Sequence, residues 1–138
     1  MAYATKQDML DRVGEADLIA LTDRARLGVI DDTILARALN DVETMINGYL
    51  AGRYQLPLTI VVASLTRAEC DMAIYQLSLR PTENQKTRYD DAIAWLKDLS
   101  TGKAMLGADS PNPNPPVPDG IQVTTNARVF TSDNLKDY

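Results

Sequence analysis

Two acidic doublets, Asp31-Asp32 and Asp90-Asp91, and a lone thiol, Cys70, are the residues of this chain whose types and spacing come closest to chemistry. Paired carboxylates can share a proton in acid–base work or hold a divalent cation. Asp32 with Glu43 even has the end-to-end spacing of a calcium-binding EF-hand loop, but no glycine and no alternating oxygen ligands stand between them, and a helix needs the same residues. Asp31-Asp32 sits where a helix needs a cap and Asp90-Asp91 falls on a polar helical face, so both doublets read as structural. Cys70 lies in a helical stretch, and the chain has no histidine to activate it, so it reads as a small buried hydrophobe. The missing histidines also remove His-based triads, His general bases and His-ligated metal sites. A single cysteine excludes an intramolecular disulfide and any multi-cysteine zinc site, and it fits a reducing compartment or one indifferent to redox state. No glycine-rich phosphate loop follows a strand into a helix. The expectation is a protein that is no enzyme and needs no cofactor or metal.

Contact chemistry is better represented. Arg53 and Tyr54 precede Leu56-Pro57 at a conformational corner, where a planar cation beside an aromatic suits a subunit or ring contact. The alternative is that Tyr54 and Leu56 plug the end of a bundle while Arg53 caps helix carbonyls. Trp95 either covers the edge of a core stripe or, if exposed, marks an interface.

These residues need elements to hold them. Thr5 with Asp8 three residues on predicts a capped first helix ended by Gly14 in a left-handed conformation. A second short helix is expected from Glu15 to about Thr22, with Leu18, Ile19 and Leu21 inward. After Gly28, Asp31 or Asp32 caps a long helix with Leu35, Leu39, Val42, Ile46 and Tyr49 on one face, frayed at its end by Gly48 and Gly52. Gln55-Leu56-Pro57-Leu58 reads as an extended link. The next helix is expected from near Thr59 to about Leu79, with Val62, Leu65, Met72 and Leu79 on its core stripe and Pro81 as its stop, although Ile60-Val61-Val62 also suits a strand. A last helix opens on Thr82 with Gln85 completing a capping box, carries Tyr89, Ile93, Leu96 and Leu99 spaced for one face, and ends before Gly102.

The resulting fold class is all-α, a small bundle of four to five helices over residues 1–107, and 138 residues suffice for one core. Residues 108–138 differ in kind. Pro111, Pro113, Pro115, Pro116 and Pro118 crowd into a stiff extended spacer. Beyond it Ile121, Val123, Thr125, Ala127 and Val129 alternate with polar residues, a strand-like pattern with no second strong strand in the chain to pair with. Phe130, Leu135 and Tyr138 follow, and the whole arm suits strand addition to a partner. A formal charge of −5 argues against a sequence-independent grip on phosphates. No basic and apolar leader opens the sequence and no apolar run is long enough to span a membrane, so no membrane passage is expected.

Several stretches together resemble a family. Tyr3-Ala4-Thr5 with Asp8, Gly14-Glu15-Ala16-Asp17-Leu18-Ile19 and Leu21-Thr22-Asp23 are similar to the N-terminal part of Mu-type phage proteins long filed as a domain of unknown function. So are Tyr49-Leu50-Ala51-Gly52-Arg53-Tyr54-Gln55-Leu56-Pro57-Leu58, Ala68-Glu69-Cys70-Asp71-Met72-Ala73, and Arg128-Val129-Phe130-Thr131 with Leu135 and Tyr138. The resemblance implies a virion protein of the head–tail connector, a helical-bundle adaptor in a ring beneath the portal. It further implies copies of the chain following the portal's twelvefold symmetry, a C-terminal arm (Ile121, Val123, Arg128, Val129, Phe130, Leu135, Tyr138) on the portal protein, and a stopper or tail-terminator protein on the other side. The location implied is the head–tail junction of the virion, reached from the host cytoplasm during assembly, with DNA passing through the channel and no sequence-specific nucleic acid bound. The rival reading is a small helix-turn-helix DNA-binding regulator, which needs a basic recognition helix, whereas the arginines here are spread over several helices beside acidic neighbours.

Overall fold

A computed structural model describes residues 2–107, and these form five helices: α1 (Lys6–Val13), α2 (Glu15–Thr22), α3 (Asp32–Leu50), α4 (Ala63–Leu77) and α5 (Glu83–Thr101). Local signals set most of the boundaries. The Thr5 hydroxyl accepts from the Asp8 N–H while the Asp8 carboxylate accepts from the Thr5 N–H at 2.7 Å, so two otherwise orphaned donors are satisfied at the start of α1. Thr82 and Gln85 repeat the device at α5, and the Asp31 carboxylate accepts from the Thr33 and Ile34 N–H groups at α3. Between α2 and α3 the Asp23 carboxylate accepts from the N–H groups of Leu27 and Gly28, and those bonds hold its pKa below the ordinary value. Thr22, fully buried, donates to the Leu18 carbonyl and accepts from the Asp31 N–H, which joins the end of α2 to the cap of α3.

Long helices α3, α4 and α5 pack against one another, while α1 lies on α4 and α2 touches both α3 and α4. The short link between α4 and α5 reverses the chain, and the stacked rings of Tyr75 and Tyr89, 4.3 Å apart, mark the antiparallel pair near that turn. At the opposite end the Leu106 N–H donates to the Tyr54 hydroxyl, so the finishing ends of α3 and α5 lie together. α4 is therefore the central helix. Every residue from Ala68 to Ile74 is buried, because α1, α2, α3 and α5 cover its faces between them.

That central position explains where the sequence reading of α4 goes astray. A single stripe of Val62, Leu65, Met72 and Leu79 presumes one wet face; α4 has none along its middle, and Ala68, Cys70 and Ala73 are the small residues that let neighbours close in. Its helix starts at Ala63 rather than Thr59, residues 60–62 form neither helix nor strand, and Leu79 lies past the end, 78 % exposed. Two smaller differences concern glycine. Gly48 continues α3, which runs on to Leu50, and Gly14 has the expected positive φ of 83° but a ψ of 162°, an extended geometry that residues with a Cβ scarcely reach. The link at 55–58 contains a cis Leu56–Pro57 peptide.

Gly102 ends α5 in the left-handed region, φ 84° and ψ 9°, while the Ala104 N–H returns to the Asp98 carbonyl. The Arg53 guanidinium fills the space a side chain would take, for a Cβ built on Gly102 would lie 1.6 Å from Nη1. Gly102→Ala should therefore cost about 1–2 kcal/mol from backbone strain and displacement of Arg53. Adding Arg53→Ala should recover part of that loss in urea unfolding, and no recovery would mean that only the backbone matters.

Candidate interaction site

The densest polar construction joins α1, α4 and α5. Asp71, at the middle of α4 and 7 % exposed, accepts from Arg12 Nε at 2.9 Å and from Arg12 Nη2 at 2.7 and 2.8 Å. A planar guanidinium offers donors in the fork that a carboxylate matches, so a single side chain of α1 neutralises the buried charge and fixes the helix pair in register. Two more arginines approach the same group: Arg67 Nε lies 3.9 Å from one carboxylate oxygen and Arg88 Nη1 4.0 Å from the other. At those separations they attract without hydrogen bonding. Beside them runs a groove of about 170 Å³ between α4 and α5, lined by Ser64, Arg67, Asp71, Arg88, Asp91 and Trp95.

Two residues earlier on α4, Glu69 is fully buried and neither carboxyl oxygen has a hydrogen-bond partner within reach. Burial pushes its pKa up to about 7, and the charge on Glu43 adds to the rise; the backbone N–H groups of Ala4 and Tyr3 oppose it without attaining hydrogen-bond geometry. Over it lies the N-terminal segment, held by the Thr66 hydroxyl donating to the Tyr3 carbonyl and by the Tyr3 hydroxyl donating to Asn47. Tyr3 itself is pushed up to about 12, chiefly by burial. Cys70, next in sequence, is 2 % exposed with its thiol raised by burial to about 12, so it stays a neutral thiol at physiological pH.

Residues singled out from sequence are distributed around this centre. Tyr54 is buried and, with half-buried Leu56 and with Leu106, closes the bundle end, while Arg53 rests on the Gly102 cap with its buried Nε unpartnered. Trp95, half-buried against the core, lies in the groove with Arg67 and Arg88. Asp31 is the expected cap, Asp32 pairs with Lys6 at 2.6 Å, and Asp90 and Asp91 are exposed on α5. The arm residues Ile121, Val123, Arg128, Val129, Phe130, Leu135 and Tyr138, and with them the proline spacer and strand-like segment, lie outside the described residues. Sequence reasoning passed over Arg12, Arg67, Asp71 and Arg88. The available signal was two acidic residues, Glu69 and Asp71, inside a run otherwise made of small and apolar side chains.

The class these features define is a small all-α bundle whose ionic chemistry ties helices together and whose solvent side offers a cationic groove. Its lineage follows from comparison. The family described as "Bacteriophage Mu, Gp36" matches residues 3–125. Gene product J of Escherichia phage Mu is 36 % identical over 134 residues, 95 % of each chain. The Mu-like prophage FluMu protein gp36 of Haemophilus influenzae is 27 % identical over 137 residues, covering 99 % of this chain and 97 % of its own. The chain belongs to the Mu Gp36 family of bacteriophage proteins.

Asp71→Asn should cost about 3 kcal/mol in chemical unfolding, since it strips the charge from the Arg12 fork, whereas Arg67→Gln or Arg88→Gln alone should cost under about 1 kcal/mol. Equal losses for all three would refute the division between one structural arginine and two exposed ones. Glu69 adds a pH dependence. Between its ordinary value of 4.5 and its folded value of about 7 the folded chain holds a proton that the unfolded chain releases, so stability falls as pH rises through that window. The loss should approach about 3 kcal/mol above pH 7, and Glu69→Gln should flatten the pH 5 to 8 stability profile. A profile unchanged by that substitution would place the titration elsewhere.

Proposed function

We propose that this chain is a structural virion protein, a head–tail connector adaptor that forms a ring under the portal and joins the DNA-filled head to the stopper or tail-terminator protein. One observation carries the reading: the family match runs from residue 3 to residue 125, past the closed bundle at Gly107 and across the proline spacer into the arm. Bundle, spacer and the first residues of the arm thus fall within one family match. The arm then acts as a tether, with residues 121–130 adding to a strand edge on the portal and the spacer holding bundle and docking segment apart. Modest contacts repeated around a ring of copies, twelve if the portal sets the symmetry, gain strength by avidity and need no catalytic group. The acidic composition suits a wall past which DNA must slide, because like charge disfavours phosphate capture.

Portal capture tests the reading. Purified full-length chain should co-sediment with portal, and a chain ending after Gly120 should bind at least tenfold more weakly. Equal capture by the truncated chain would remove the arm from portal docking. Tight duplex DNA binding at physiological salt would instead favour a regulator.

A further inference from the structure

The guanidinium groups of Arg67 and Arg88 make no hydrogen bond to any described residue, although each carries five N–H donors. Their side chains are 73 % and 50 % exposed. Asp71, the group they flank, is already neutralised by the Arg12 fork, so the groove between α4 and α5 keeps two cations against one remaining carboxylate, exposed Asp91. In a chain of net charge −5 this is a local reversal of sign, and half-buried Trp95 supplies an aromatic wall beside it. Such a groove fits an acidic polypeptide segment with an aromatic side chain, one carboxylate for each guanidinium and a ring for Trp95.

We propose that the groove receives the segment of this chain from Asp133 to Tyr138. Residues 108–138 carry four carboxylates, Asp109, Asp119, Asp133 and Asp137, against two cations, Arg128 and Lys136, so their charge complements the groove. Asp133 and Asp137 flank Leu135, and Tyr138 adds the aromatic ring. Reach is ample: the 26 residues from Gly107 to Asp133 extend up to about 85 Å, against about 28 Å for the length of α5, so the groove of the same copy and that of a neighbour are both accessible. The inference goes beyond the connector reading and leaves residues 121–130 to the portal, while Leu135 and Tyr138 are reassigned to the bundle. Portal capture measured on the same variants separates the two.

Trp95 is the only tryptophan, so its emission and its quenching by acrylamide report directly on the groove in the full chain. Asp133→Asn with Asp137→Asn should raise the quenching constant about twofold, Arg67→Gln with Arg88→Gln should do the same, and all four together should add nothing. The charge swap, Arg67→Asp and Arg88→Asp with Asp133→Arg and Asp137→Arg, should restore protection. A benzophenone photoprobe replacing Tyr138 in the otherwise native chain should cross-link within residues 64–95, as a monomer for docking in one copy or a dimer for exchange between copies. Adducts elsewhere would overturn the proposal. So would quenching that responds to the arginines and not to the aspartates, the result expected if the groove serves phosphate or an acidic segment of another protein.

Discussion

A carboxylate at the centre of a helix that has neighbours on every side must be neutralised by one of them, and in this bundle that requirement is met by Arg12. Asp71 stands in the buried run from Ala68 to Ile74, where water cannot reach it freely. An unpaired charge there would be far more costly than any single apolar contact could offset. The Arg12 fork removes the penalty only when α1 lies at one position along α4, so an eight-residue helix with little helical stability of its own is held by geometry. Asp71 also draws Arg67 and Arg88 toward the rim, to 3.9 and 4.0 Å. One buried carboxylate thus sets the register of α1 and populates the groove on the other side.

The far end of the bundle is organised by shape more than by charge. α3 and α5 finish side by side, Tyr54 fills the space beneath Leu106, and Gly102 turns the chain while leaving room for Arg53. Leu106 is buried and held through its N–H, so the last described turn is fixed against this end of the bundle.

How much of this was legible in the sequence divides along a physical line. Caps at Thr5, Asp31 and Thr82 and the stop at Gly102 depend on residues three or four apart, and the structure places them where those spacings predict. α2 runs from Glu15 to Thr22 as expected. The Arg12–Asp71 pair is 59 residues apart, and no local pattern reports it. α4 was misjudged for a related reason: a helix enclosed on all faces loses the periodicity that marks an amphipathic one, so its stripe, its start and the exposure of Leu79 could not be read from spacing. Tyr54 as a plug was visible from its corner position; Trp95 was visible as a residue with two roles, and only the packing of α4 on α5 sets it beside two arginines.

Glu69 and Asp71 show how the same residue class takes opposite parts within one helix. Both are buried, two positions apart and so on different faces of α4, but Asp71 meets a guanidinium and Glu69 meets another acid, Glu43, beneath the Tyr3-Ala4 segment. Asp71 is held in a directional contact because its partner supplies a fixed fork. Glu69 favours its proton, since with both oxygens unpartnered the charged form would have nothing to replace the water it loses. A core apolar at both sites would pack at least as well, so stability alone is a poor account of the pair. What the two acids supply is discrimination among arrangements: sliding α1 or lifting the N-terminal segment exposes a specific electrostatic error, where an all-apolar contact would tolerate the shift. For a bundle whose shortest helix has little stability of its own, that discrimination is what fixes a single arrangement.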